Sequence, residues 1–333
     1  VGRLAIDLLH PRRERPAGSA LHALQCRLPL TVQPPHCPPM SLSLAAVKYR
    51  SVFVEDGGPI ERVTTSSCSV FGEQQQQANA YLRPELSVGK PSHAIYGQAD
   101  GTGSSVSSAT ACHMAISEAL ERWAFLATYR SAEAGRYGFD VDRSSNGMAA
   151  FPGLFRHQAA RRARREALER YAVISWWDGR FDSEVRPAPF PGVELVRIHH
   201  NAGEGEVVIL IQKNRAGYSF GHAAGSTVTT AALRAGVELA RAEFVITAHR
   251  AKGALVKAAN FLERRALHFS SEAGHARFRA RLARPADRPA PRWQPVFDGE
   301  VRGPWSRWAT VWRCAVAMPT GEYLDPESNF FFW

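Results

Sequence analysis

The chain has 333 residues, of which 45% are apolar and 10% aromatic, and its 41 Lys and Arg outnumber 31 Asp and Glu to give a formal net charge of +10. This composition supports one large or two smaller packed domains and excludes an intrinsically disordered chain. No run of about 18 apolar residues occurs, so no membrane-spanning helix is expected, and the five cysteines, scattered without a CxxC, form neither a zinc nor a disulfide pattern and fit a cytoplasmic protein.

Residues 1–39 differ from the rest. Arg12, Arg13 and Arg15 follow the short apolar stretch instead of preceding it, which is the wrong order for a signal peptide, and Pro34-Pro35 and Pro38-Pro39 close the segment. They are expected to be an upstream extension, non-native or disordered, with the catalytic domain over 40–333 and Met40 as its natural start. Val47 to Glu55 reads as a short strand, and the run Gln74 to Gln77 as a polar helix turn or loop. Gly97 to Ser105 is a glycine- and serine-rich loop that leads into a helix over about 107–129, with Ser107 or Ser108 as its cap. Ser144 to Gly147 is a turn before a second helix over about 157–176. Val193 to His199 and Glu206 to Gln212 are β-branched runs around the turn Asn201 to Gly205, a hairpin or two sequential strands. Ser219 to Ser226 is a third small-residue loop, before a helix over about 229–250. A helical stretch over 260–284, a proline-rich linker over 285–304 and a strand from Val311 to Met318, closed by Pro319, complete the chain.

The unit of small-residue loop and long helix thus recurs three times with strands between, which predicts an α/β fold of mixed sheets flanked by long helices. Loops that feed helix N-termini suit anions, because free backbone N–H groups point outward there. None of them matches GxxxxGK[ST] or GxGxxG, so neither an ordinary P-loop nor a dinucleotide fold is indicated.

The pentapeptide Glu-Ala-Leu-Glu-Arg occurs twice, as Glu118 to Arg122 and as Glu166 to Arg170. All its residues favour helix, so one copy means little. Two copies on two long helices mean more: each places its glutamates three apart on one face, where they repel each other. Buried together, the pairs need a positive partner, and hard carboxylate oxygens suit Mg2+. The third helix adds Arg234 and, four residues on, Glu238. Five carboxylates with several arginines would suit a metal-bridged polyphosphate. The arginine runs Arg161, Arg162, Arg164, Arg165 and Arg277, Arg279, Arg281, Arg284 read as solvated helix faces. No nucleic-acid-binding signature accompanies them, so no nucleic acid is expected, and a nucleotide phosphate or an acidic peptide is the fitting anion.

This layout resembles the YcaO-domain family over about Gly97 to Pro319. Glu118, Glu121 and Arg122 answer its Ser-x-x-x-Glu-x-x-Glu-Arg signature. Asn146-Gly147-Met148-Ala149-Ala150 followed by Glu166, Glu169, Arg170, Trp176 and Trp177 answers the second, and Arg234 with Glu238 the third. The resemblance implies an ATP site between the helices, with Glu118, Glu121, Glu166 and Glu169 on Mg2+ and Asn146, Arg122, Arg170, Arg234 and Glu238 on the nucleotide. It implies ATP-dependent cyclodehydration of a ribosomal precursor peptide: a Cys, Ser or Thr side chain attacks the preceding carbonyl, the oxyanion takes the γ-phosphoryl group, and phosphate leaves as the thiazoline or oxazoline forms. An external sulfide or amine would give a thioamide or amidine instead. It also implies an E1-like partner for leader-peptide recognition, and a homodimer or hetero-complex. The chain departs from the pattern at Met114 for the serine, near Ser104 for a lysine and at Gln158 for a glutamate. These departures keep open a second reading, a catalytically weak subunit that binds peptide and scaffolds a complex. His199-His200 reads as a surface pair, Cys112 as core, Trp176-Trp177 as packing onto a sheet, and the aromatic run Phe330 to Trp333 as docked into a groove.

Overall fold

A computed structural model describes residues 45–153, 156–215, 217–253 and 257–333. The expectation for residues 1–39 lies outside the described residues. Three antiparallel sheets organise the described residues. The first has the order β1-β2-β3, with β1 Ile60–Val70, β2 Glu73–Leu82 and β3 Gly101–Ser105. The second has the order β4-β10-β9, with β4 Met148–Phe151, β9 Pro295–Glu300 and β10 Thr310–Val316. The third has the order β5-β6-β7-β8, with β5 Ser183–Pro187, β6 Val193–Ile198, β7 Glu206–Asn214 and β8 Gly217–Gly225. Among the described residues six α-helices accompany them: the short α1 Ala45–Lys48, the long α2 Ser108–Tyr129, α3 Arg156–Trp177 and α4 Val228–Ala251, and then α5 Phe261–Phe269 and α6 Glu272–Leu282. The fold is thus mixed α/β, antiparallel sheets flanked by long helices.

Two of the long helices start directly from a strand. Ser107 caps α2 through Thr110 N–H, and Thr227 caps α4 through Thr230 N–H. Each helix then lies back on the strand it left, α2 on β3 and α4 on β8. Glycine makes this possible. A Cβ at Gly101 would stand 2.1 Å from the carbonyl oxygen of Ala115, and one at Gly221 2.2 Å from that of Ala235. The same residue types recur at equal spacing in the two units: Gly101 and Gly221, Ala111 and Ala231, Ala115 and Ala235, Glu118 and Glu238. Backbone-to-backbone contact at the glycines fixes the rotation of each helix, and with it the direction of Glu118 and Glu238.

The sequence β7 reads Val207-Val208-Ile209-Leu210-Ile211 without a polar break, because its sheet is covered on both faces. Val207, Ile209 and Ile211 join the core of α3, whereas Val208 and Leu210 face α4 with Ala231, Ala235 and Leu239. The third sheet therefore lies between α3 and α4. The core on the α3 side also takes Trp176, Phe220, Phe269, Phe278 and the segment Phe330 to Phe332, all buried. The aromatic run is docked, as its composition predicts. Arg265, itself buried, ties it down by donating to the carbonyls of Tyr323, Asp325, Ser328 and Phe332.

Several sequence expectations need correction. Val47 to Glu55 is not a strand but the end of α1, a turn and a 3-10 turn, Val54–Asp56. The glutamine run is neither loop nor helix turn. It lies in β2, where Gln74 to Gln77 pair with Ser66 to Ser69 of β1. The small-residue stretches 97–105 and 219–226 are largely strands, β3 and β8, chosen because a helix must pass over them closely. The linker 285–304 contains β9. The helical stretch 260–284 is broken into α5 and α6 at Ser270, with Ser271 capping α6.

Candidate active site

The long helices α2, α3 and α4 bring their charged faces to one recess. Glu118 and Glu121 come from α2, Glu166, Glu169 and Arg170 from α3, and Arg234 and Glu238 from α4. Side-chain exposure runs from 11% at Glu169 through 23% at Arg170 and 29% at Glu166 to 39% at Glu118 and 52% at Glu238, so the charged groups of α3 are the most shielded. Arg170 stands at its centre. Its guanidinium lies 3.8 Å from Glu166 Oε1 and 3.8 Å from Glu169 Oε1, and 5.0 Å above the ring of Phe332. Burial works against its charge, but Glu169, Glu166, Glu238 and Glu121 together hold its proton more tightly than usual. One guanidinium is thus in the field of acids from all three helices. Its Nε is nonetheless buried without a hydrogen-bond partner.

The acids are not equivalent. Burial, then the charges of Glu166 and Glu118, push the carboxyl of Glu121 well above the ordinary range, with Arg122 and Arg162 only partly offsetting this. Burial also raises Glu166, to about 7, against the pull of Arg170 and with a further push from Glu169 and Glu118. Glu169 is buried too, but Arg170, a hydrogen bond to His222 and the charge of Arg234 outweigh that, and its carboxyl lies below the usual value. Glu118 is held by its own sheet: its Oε2 accepts from Thr102 N–H at 3.0 Å and from Thr102 Oγ1 at 3.1 Å, while Oε1 lies 4.0 Å from Arg122. Glu238 accepts from Arg241 Nη1 at 2.9 Å. Asn146 is buried in a different network. Its Nδ2 donates to Asp142 Oδ2, its N–H to Ser144 Oγ, and Asp142 also receives Tyr323 Oη. That network carries the turn at Gly147, which leads into β4 beneath α3.

Two residues of the recess, His222 and Arg241, are missing from the sequence reading, and two more, Arg162 and Arg165, stand there only as part of a solvated face. His222 Nδ1 lies 2.9 Å from Glu169 Oε1, and its ring runs nearly parallel to Phe332. Alternation along β8 places His222 on one face with Phe220 and Ala224, toward α3, but this signal is invisible while the stretch is read as a loop. Arg241 donates to Ser104 Oγ at 2.7 Å through Nη2, so an α4 guanidinium reaches the point where the resemblance calls for a lysine. Arg162 and Arg165 correct the picture of Arg161 to Arg165 as one solvated face. Arg161 and Arg164 are exposed, but Arg162 and Arg165 are half-buried on the Glu166 side of α3.

Among the described residues no three His, Cys, Asp or Glu side chains form a ready cage for a metal ion. Mg2+ does not require one, since it is commonly held by one or two carboxylates together with water and phosphate oxygens. The recess suits that mode. Its donors are hard oxygens, Glu121 and Glu166 oppose each other from different helices, and the unmet Nε of Arg170 awaits an acceptor. Elsewhere, His199 is an exposed partner of Glu184, and Trp176 is fully buried against Phe278. No described helix is long and apolar enough to cross a membrane.

No protein-family model matches the chain, and no curated protein matches it. Among solved structures it is similar to YcaO from Methanopyrus kandleri bound with AMPPCP and Mg2+, at 16% identity and a TM-score of 0.49 over 85% of this chain and 91% of that one. It is similar also to the E. coli microcin synthetase McbBCD complex with pro-MccB17 bound, at 11% identity and a TM-score of 0.49 over 77% and 87% of the two chains.

Proposed function

We propose that this chain is an ATP- and Mg2+-dependent enzyme that activates a backbone amide of a precursor peptide, with cyclodehydration to thiazoline or oxazoline as the reaction. The observation that carries the reading is the convergence of Glu121, Glu166, Glu169 and Glu238 from three helices around the guanidinium of Arg170, with Glu118 acting on Glu121 and Glu166. Acids at that density raise one another's proton affinity, and a divalent cation with a polyphosphate relieves them. Glu118, Glu121, Glu166 and Glu169 would hold Mg2+; Arg122, Arg170 and Arg234 would hold phosphate oxygens, with Asn146 and Glu238 on the nucleotide. Bound there, ATP supplies the phosphoryl group and Mg2+ neutralises the charge around it.

The chain's own work is positioning and charge neutralisation. Arg170, fixed between Glu166 and Glu169, presents its unmet Nε–H to the recess. His222 fixes one oxygen of Glu169, which leaves the other free. Phe332 closes the recess beneath Arg170 and keeps water from its lower face. An E1-like partner would carry leader-peptide recognition. A bound sulfide or amine as the attacking group would give a thioamide or amidine, which the mass of the product separates from loss of water.

Calorimetry of ATP binding with and without Mg2+ tests the reading. The wild-type chain is expected to bind ATP in a Mg2+-dependent manner, and Glu121→Gln and Glu169→Gln each to abolish that binding with the fold intact. Wild-type affinity in either variant would remove the basis for the metal assignment.

A further inference from the structure

The sequence motifs account for Arg170 and Arg122 but say nothing of Arg162 and Arg165, four residues and one residue before Glu166. Most arginines of this region are paired: Arg164 with Asp298 at 2.7 Å, Arg170 with Glu166 and Glu169, Arg241 with Glu238. Apart from the exposed Arg161, the exceptions are Arg162, Arg165 and Arg234. None of the three makes a hydrogen bond or an ion pair within 4.0 Å among the described residues. Arg162 and Arg165 are half-buried, and Arg234 stands at the more exposed rim.

They are also close to one another. Arg162 and Arg165, three apart on α3, share one face. Arg165 lies within Coulomb reach of both Arg161 and Arg162. Arg234, across on α4, lies within Coulomb reach of Arg165 and Arg162, and also of Glu169 and Glu238, none of which it pairs with. So three guanidiniums from two helices lie in each other's field, two of them partly out of water, and no carboxylate lies within ion-pair distance of any of them. Glu121 and Glu166 feel Arg162, but from beyond ion-pair distance. Unpaired clustered cations are costly unless an anion occupies the space between them.

We propose that Arg162 and Arg165, together with Arg234, form a subsite that takes the terminal phosphates of a nucleotide directly, without a metal ion between. The inference rests on the ATP-binding reading above and adds to it residues and a mode of binding. A polyphosphate is the ligand class that spans both halves of the recess, with metal-bridged oxygens against the glutamates and free oxygens against the arginines. A single peptide carboxylate offers one fork and satisfies one guanidinium. The placement also explains how this chain dispenses with a lysine near Ser104: Arg241 is spent on Ser104 and Glu238, and the charge facing the phosphates comes from α3 instead.

The test is calorimetric titration of the full chain with inorganic tripolyphosphate in the presence of EDTA. The wild-type chain is expected to bind it, and Arg162→Gln and Arg165→Gln each to weaken it about tenfold or more, as loss of a charged hydrogen bond implies. Arg164→Gln, on the same helix but paired with Asp298, is expected to leave the affinity unchanged. Adenosine monophosphate should bind all four proteins alike. The two test arginines have no partners to lose and each substitution removes a repelling charge, so their variants should unfold at or above the wild-type denaturant midpoint. Arg162→Lys and Arg165→Lys, which keep the charge, supply the comparison if either glutamine variant does not. Failure of the wild-type chain to bind tripolyphosphate in EDTA, or equal affinity in the test variants and the control, overturns the subsite. Binding of tripolyphosphate without any binding of Mg2+ and ATP leaves the subsite standing and removes the ATP reading instead.

Discussion

Glu166 is where the electrostatic strain of the recess can be measured. Its carboxyl is raised from 4.5 to about 7, first by burial and then by Glu169 and Glu118, net of the attraction of Arg170. A carboxyl whose proton affinity is higher in the folded state contributes stability that is fully present below its unfolded value and is lost as the pH rises through the folded value. For Glu166 the loss therefore runs from about pH 4.5 to just above pH 7, and the rise corresponds to about 3 kcal/mol. Glu166→Gln imitates the protonated form at every pH. Its stability should match that of the wild-type chain near pH 4.5 and exceed it by up to about 3 kcal/mol at pH 8. The assay is guanidinium unfolding of both proteins at pH 4.5, 6, 7 and 8, without divalent cations, with the difference read at each pH. A difference that does not change with pH, or a variant less stable than wild type at pH 8, would refute the argument that the acids of α2 and α3 strain each other. Adding Mg2+ at pH 8 should stabilise the wild-type chain more than the variant, because the cation relieves the charge that the variant lacks.

Four further outcomes follow from the packing. Phe331→Ala removes a fully buried ring that meets Trp176, Trp177, Phe220, Phe269 and Phe278, and should cost about 3–5 kcal/mol in chemical unfolding. Arg265→Leu leaves the carbonyls of Tyr323, Asp325, Ser328 and Phe332 without their donor, so limited proteolysis should cut within 322–333 at times when the wild-type chain resists. His222→Ala frees the carboxylate of Glu169 to rotate and should weaken ATP binding in Mg2+ about tenfold; His222→Asn, which can restore the bond made by Nδ1, should recover part of it, and equal loss in both would show the ring to be packing only. Gly101→Ala and Gly221→Ala would each force α2 or α4 off the strand beneath it, at 2.1 and 2.2 Å from a helix carbonyl, and each should lower the unfolding midpoint more than Gly192→Ala, which meets nothing within 4 Å and loses only its relaxed turn.

The three long helices, the cap of α2 at Ser107, and the strands β6, β7 and β10 were legible in the sequence, because helical periodicity, capping chemistry and β-branched runs are local properties of consecutive residues. So was the pairing of acids along each helix, which depends only on three- and four-residue spacing. The strands β2, β3 and β8 were not. Glutamine, serine and glycine carry little strand preference of their own, and what selects them is a neighbouring strand in β2 and a helix backbone lying at Cβ distance in β3 and β8. The division among the arginines was hidden for the same reason. Arg161, Arg162, Arg164 and Arg165 look alike in sequence, and only the docking of α3 between two sheets turns Arg162 and Arg165 toward Glu121 and Arg234 while Arg161 and Arg164 face solvent. His222 entered the recess in the same way, through the register of β8. Local sequence thus determined which residues bear the charge, whereas their proton affinities and partners came from the tertiary structure, because burial and Coulomb interaction depend on distances between segments that lie far apart along the chain.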